Sequence, residues 1–274
     1  MNFAVCFAFL CWMLANQGSA QLLDVNCAAV PAHSGDLSFN SPWMALVVLP
    51  NKTCSGALIH KQYVITSASC IFKQGKAIVR LGQLYSDKEH CISDEYRIEE
   101  YQVQSSYIHS FYNESNIEHD IALLELQNEV LYKANIRSIC IWLNNTVVAA
   151  QQYKSFDTSR WVIDEKSTQP RVSTRKIRHF TRSRCQSALK VNLRSSHICA
   201  GYEKIIKCPG TGSPLYNTIG YYKGRYALFG IQSFGDLRTC LYTDVTSYID
   251  WILGIILKVD VIVPISKNSH AQVS

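Results

Sequence analysis

No stretch of this 274-residue sequence offers the roughly 20 consecutive apolar residues that a membrane-spanning helix needs, so no membrane span is expected. Glycine and proline are sparse, at 13 and 7 residues, and no low-complexity tract or internal repeat is visible. With 47% hydrophobic residues, this excludes collagen-like and largely disordered chains. Charged residues make up only 18%, and the formal net charge of +6 is modest for this length and no nucleic-acid signature by itself. Two further absences are local: residues 1–20 hold no ionised side chain, and no Asp or Glu stands between Glu165 and Glu203.

Cysteine, in contrast, is abundant. Eleven are too many for an ordinary cytosolic protein of this length and too few for a miniature disulfide scaffold, so a secreted domain with its own core, stapled by disulfides, is expected. The mostly apolar run at residues 3–14, followed by small residues ending Gly18-Ser19-Ala20, reads as a signal peptide cleaved after Ala20, although its start carries no Lys or Arg. Its removal discards Cys6 and Cys11 and leaves an odd number of cysteines. Sequons at Asn51, Asn113 and Asn144 fit passage through a glycosylating compartment.

Short apolar runs at residues 43–49, 63–66, 77–81, 121–126 and 226–231 are mostly too short for helices and rich in Val, Ile, Tyr and Leu, so an all-β sandwich or pair of barrels is expected. One helical pattern stands near the end, where Val245, Tyr248, Ile249, Trp251 and Ile252 recur at three- and four-residue spacings. Residues 254–265 are apolar but interrupted by Lys258, Asp260 and Pro264, and read as neither a membrane span nor a clearly folded segment.

Five motifs in order carry a family resemblance. They are Ser41-Pro42-Trp43-Met44-Ala45; Cys54-Ser55-Gly56-Ala57-Leu58-Ile59 followed by Val64-Ile65-Thr66-Ser67-Ala68-Ser69-Cys70; His119-Asp120-Ile121-Ala122-Leu123-Leu124; Ile198-Cys199-Ala200-Gly201; and Tyr242-Thr243-Asp244-Val245 with Tyr248-Ile249-Asp250-Trp251-Ile252. Together these resemble the chymotrypsin-like (trypsin-fold) serine proteases, most closely secreted arthropod-type members and their catalytically inactive homologues. The resemblance implies two six-stranded antiparallel β-barrels with a C-terminal helix. It divides the chain into a signal peptide (1–20), an N-terminal segment tethered by Cys27 (21–40), a protease-like domain (41–253) and a C-terminal extension (254–274).

In this family a serine attacks the peptide, a histidine moves its proton, an aspartate orients the histidine, and backbone N–H groups stabilise the oxyanion. The motif Thr-Ala-Ala-His-Cys stands here as Thr66-Ser67-Ala68-Ser69-Cys70, which puts a hydroxyl with no titration near neutral pH where the general base belongs. Gly-Asp-Ser-Gly-Gly-Pro-Leu stands as Gly210-Thr211-Gly212-Ser213-Pro214-Leu215, one residue short, so the nucleophile is either deleted or displaced to Ser213, with Thr211 in place of its neighbouring aspartate. Of the triad only Asp120 matches. His119 is expected to be a surface histidine, pointing away from Asp120 as neighbours in an extended segment do. No zymogen-activation segment and no Lys or Arg occur between Cys27 and Ser41, and the activation acceptor is lost with the aspartate. The specificity pocket is degenerate at Ile206, Ser233 and Gly235: Ile206 stands in place of the acid at its base, and the wall between Cys240 and Tyr242 shrinks to Leu241, so a closed or reshaped pocket is expected.

The resemblance further implies the disulfides Cys27–Cys140, Cys54–Cys70, Cys185–Cys199 and Cys208–Cys240, with Cys91 left free or linked to another chain. Nine cations and no acid lie in residues 166–202. Among them Arg171, Arg175, Lys176, Arg178, Arg182 and Arg184 form either a solvated face or a patch for an anionic partner, with Val172, Ile177 and Phe180 turned inward. The expected function is that of a secreted, extracellular, non-catalytic homologue without cofactor or metal. Its partner is expected to be a protein of an extracellular protease or immune cascade, or an anionic surface, rather than nucleic acid. An active trypsin-like endopeptidase and a structural or carbohydrate-binding protein are the competing readings.

Overall fold

The computed structural model describes residues 22–29, 41–82, 98–143, 150–162, 170–219 and 224–259. The signal-peptide segment, Cys6, Cys11, Cys91 and Asn144 lie outside these residues.

The first barrel is built from β1 (Met44–Val48), β2 (Thr53–His60), β3 (Tyr63–Thr66), β4 (Ile78–Leu81), β5 (Glu99–Ile108) and β6 (Ala122–Leu126), closed in the order β1-β2-β3-β6-β5-β4. The second consists of β7 (Ser155–Val162), β8 (Arg171–His179), β9 (His197–Gly201), β10 (Pro214–Ile219), β11 (Arg225–Gly235) and β12 (Thr239–Asp244), closed in the order β10-β11-β12-β9-β8-β7. All these pairings are antiparallel. Closure leaves neither sheet an exposed edge.

The continuous apolar runs follow from burial on both strand faces. In β6, Ala122, Leu124 and Leu126 fill the first barrel, while Leu123 joins Ile121 in a separate core between the barrels. Strand β3 divides in the same way, Val64 inward and Tyr63 and Ile65 toward the other barrel. A strand with only one buried face alternates with polar residues; these have little solvent face left to do so. The interbarrel core is anchored by Trp43, fully buried, whose ring meets that of Tyr216 edge to face with centroids 4.9 Å apart. Beside it Ser41, Ser159 and Tyr216 join their hydroxyls at 2.7–2.9 Å, so these three buried hydroxyls are satisfied.

Among the described residues, three α-helices interrupt the strands: the single turn α1 (Ala68–Ile71), α2 (Arg182–Leu189) and α3 (Ile249–Leu257). Helix α3 buries Ile249 and Ile252 in the interbarrel core, continues past residue 253, and ends with Lys258 in a left-handed conformation. Lys258 Nζ lies 3.3 Å from the buried carboxylate of Glu125, which also accepts from Tyr107. The start of the tail is therefore helix, fastened to the first barrel. Helix α2 has no signature in the sequence because it is largely polar: only Cys185 is buried, Leu189 packs beside it in part, and a disulfide to Cys199 holds it. The other three bonds are Cys27–Cys140, Cys54–Cys70 and Cys208–Cys240, as the resemblance implied.

Candidate functional site

A cleft of about 360 Å³ is lined by groups from both barrels, among them Ser69, Asp120, Thr211, Ser233 and Phe234. Asp120 is fully buried just before β6, and its carboxylate is saturated locally. Ser69 donates twice, from its backbone N–H to Oδ1 (2.7 Å) and from its hydroxyl to Oδ2 (2.9 Å), and Ser233 on β11 donates its hydroxyl to Oδ2. Burial pushes the Asp120 pKa above the ordinary carboxylate value, and these hydrogen bonds hold it back. The Ser69 hydroxyl thus makes the contact that the family's imidazole makes with its aspartate.

The shortened loop before β10 settles which residue lines the cleft, and it is not Ser213. Ser213 is fully buried, and its Oγ has no hydrogen-bond partner among the described residues. Thr211 is half-buried and lines the cleft instead. Two backbone bonds fix this register: Ser55 N–H donates to the Thr211 carbonyl (3.0 Å), and Gln232 N–H donates to the Ser213 carbonyl (2.8 Å). The amides of the loop are engaged as well. Gly210 N–H donates to the Gln232 side-chain carbonyl (2.9 Å), Gly212 N–H to the Gln232 backbone carbonyl (2.8 Å) and Ser213 N–H to the Gly210 carbonyl (3.0 Å). An oxyanion hole needs such donors aimed at the reacting oxygen, not at protein acceptors. Gln232, almost fully buried, escaped the sequence reading; its only signal there was a polar side chain inside the apolar run Phe229-Gly230-Ile231-Gln232.

The three residues expected at the specificity pocket do not stay together. Ser233 and Gly235 line a cavity of about 650 Å³ with Thr211, Asp236 and Leu237. Ile206 does not share it; it lines a separate narrow cavity with Arg175 and Tyr202, and its carbonyl accepts from Arg238 N–H (3.0 Å). The reason lies in the chain lengths beside the Cys208–Cys240 bond. With Leu241 alone before Tyr242, β12 runs straight on from Thr239, and the loop Asp236-Leu237-Arg238 folds against Lys207 instead. Asp236, exposed, is the acid lining this cavity, but it comes from that loop and not from the segment before Cys208.

His119 is not an extended surface residue. Its φ is 53°, and its half-buried ring stacks on that of His109, centroids 4.6 Å apart and planes within 6°. Its Nδ1 lies 3.1 Å from the Tyr248 hydroxyl, so the pair ties the Asp120 segment to the approach of α3. Burial first, then the His119 charge, pushes the His109 pKa down to about 4 from the usual 6.5; burial also lowers that of His119, opposed by Glu118 and reinforced by Arg194. Folding therefore favours neutral imidazoles. Their contribution is complete above pH 6.5 and lost as pH falls toward 4, where the unfolded chain binds protons that the folded chain refuses. For half-exposed, solvent-screened rings this is on the order of 1 kcal/mol. The melting temperature of His109→Phe is expected to fall less between pH 7 and 4.5 than that of the unmodified protein; equal falls would assign the acid sensitivity elsewhere.

The basic stretch does not form one face. Val172 is buried in the interbarrel core and Ile177 in the second barrel, so the intervening cations diverge. Arg175 lies beside Tyr202, Lys176 pairs across the ladder with Asp157, and Arg178 and Arg184 flank Glu203 at 3.0 and 3.5 Å. Arg184 also covers the Phe180 ring at 3.5 Å, and Arg171 and Arg182 are exposed. Asn51 and Asn113 are exposed, accessible to a glycan.

Comparison with known proteins gives a consistent result. A family model described as Trypsin matches residues 33–252. The chain is 28% identical over 239 residues to Serine protease grass of Drosophila melanogaster, covering 77% of this chain and 63% of that protein. It is 29% identical over 243 residues to CLIP domain-containing serine protease B15 of Anopheles gambiae, covering 77% and 65%. With vitamin K-dependent protein C of Mus musculus it shares 27% identity over 236 residues, covering 78% and 48%. The chain thus spans less than two thirds of the length of each of these relatives. In fold it is similar to the crystal structure of the Drosophila Grass clip serine protease of the Toll pathway, with a TM-score of 0.68 at 24% identity, over 84% of this chain and 74% of that one. Among the described residues, no helix is long and apolar enough to cross a membrane.

Proposed function

We propose that this chain, which belongs to the trypsin family of serine proteases, is a secreted non-catalytic member that works by binding a protein of an extracellular protease cascade. One observation carries the reading: the group hydrogen-bonded to Asp120, where the reaction needs an imidazole, is the hydroxyl of Ser69. A hydroxyl cannot take a proton from a second hydroxyl near neutral pH, and Asp120 is itself held by Ser69 and Ser233. Thr211 therefore faces the cleft with no base to activate it. Losing the nucleophile or the base of such a triad costs on the order of 10⁶ in turnover. The engaged amides of Gly210, Gly212 and Ser213 add to the loss, because none of these three is free to donate to the developing oxyanion.

The cascade setting rests on the relatives named as clip serine proteases, one of them described as of the Toll pathway. Secretion rests on the leader-like first twenty residues, the sequons and the four disulfides. The retained 650 Å³ cavity between Thr211 and Leu237 favours a second reading, an active endopeptidase with altered specificity. Active-site labelling separates the two. A fluorophosphonate is expected to leave the protein unmodified, both as secreted and after treatment with trypsin.

A further inference from the structure

We propose that the groove bordered by the Ala150–Gln152 turn, the end of β8 and the start of α2 is a binding site for a sulfated glycan chain. It shares no lining residue with the cleft, so the proposal stands whether or not the cleft is catalytic. The groove has a volume of about 580 Å³, within the usual range for ligand sites. Its charged lining is of one sign: Lys154, Arg178 and Arg182, with no Asp or Glu among the residues that form it. Elsewhere along the basic stretch the cations diverge; here three border one concavity, and of these only Arg178 also meets an acid, Glu203, among the described residues.

The backbone adds to this field. Thr181, the N-cap of α2, does not cap the helix, its hydroxyl lying 3.2 Å from that of Ser183. The positive end of the eight-residue helix therefore opens beside Arg182 without a side-chain acceptor. Guanidinium forks suit the oxygens of sulfate, and Arg184, which covers the Phe180 ring that lines the groove, would meet a further charge along a chain. The half-buried Tyr153 ring, supported by Phe229 at 4.9 Å, gives a sugar ring an apolar surface to lie on. A free inorganic anion would make no use of that surface. A polynucleotide, the other polyanion that cations attract, finds one aromatic ring here where base stacking needs a series.

Binding of a heparin-derived hexasaccharide by isothermal titration calorimetry tests the site, with a single-stranded oligonucleotide of equal charge as comparison. The hexasaccharide is expected to bind, and to weaken steeply as salt rises. Lys154→Gln with Arg182→Gln is expected to reduce the affinity at least about tenfold, or roughly 1.4 kcal/mol. Arg171→Gln with Arg175→Gln, the same loss of charge outside the groove, is expected to reduce it by less than about threefold. Circular dichroism melts of both variants report folding. No binding by the unmodified protein, equal losses in the two variants, or equal affinity for the oligonucleotide would each overturn the assignment.

Discussion

Rebuilding the two missing side chains, as Ser69→His with Thr211→Ser, is expected to leave peptide and ester hydrolysis at background. The double variant places an imidazole next to Asp120 and a serine where Thr211 faces the cleft, which restores the residue types of the triad. It does not restore the loop. The Gly210 amide remains bonded to the Gln232 side chain, and those of Gly212 and Ser213 to carbonyls, because the loop is one residue shorter than the family's pattern. One missing oxyanion donor costs about 10²–10³ in turnover, and the three engaged loop amides compound that loss, which takes the variant toward background. Hydrolysis of a thioester substrate measures it. An acyl-enzyme burst from the double variant would mean that the loop is competent and that Ser69 alone silences the cleft.

The same loop gives the largest expected effect on stability. Gly212 has φ +80°, and a Cβ there would stand 1.9 Å from the Ser55 carbonyl oxygen and 2.5 Å from Thr66 Oγ1. Neither neighbour can retreat easily, since both lie on strands of the first barrel and are bonded to each other at 2.7 Å. Gly212→Ala is therefore expected to cost more than about 4 kcal/mol or to prevent folding. Gly210 is the control: its φ is +122°, but nothing lies within 4 Å of its would-be Cβ, so Gly210→Ala carries backbone strain alone, about 1–3 kcal/mol. Urea denaturation of the two variants gives the comparison. Equal midpoints would show that the barrels do not meet as closely at Gly212 as described.

Much of this fold could be read from the residues. Strands such as Ala122–Leu126 announce themselves because both faces are buried, and the four disulfides follow from the family pattern. The helix Arg182–Leu189 could not be read, because a disulfide and not an apolar stripe holds it. At the site, the change at Ser69 is visible in sequence, since a motif either has its histidine or does not. A one-residue deletion is different: Gly210-Thr211-Gly212-Ser213 can be slid either way against a pattern of small residues. Only the bonds from Ser55 to Thr211 and from Gln232 to Ser213 show that Thr211 takes the exposed place. The conformation of His119 is illegible for a related reason, because a left-handed φ of 53° inside a motif leaves no trace in residue type.

The central claim, that this member of the family has lost its chemistry and retained its architecture, is tested most directly by intact-mass spectrometry of the glycan-trimmed protein after exposure to a fluorophosphonate, with and without prior trypsin treatment and with an active trypsin as positive control. The account predicts no mass increase under either condition. Stoichiometric addition of one phosphonyl group, mapped to Thr211 or Ser213, would contradict it.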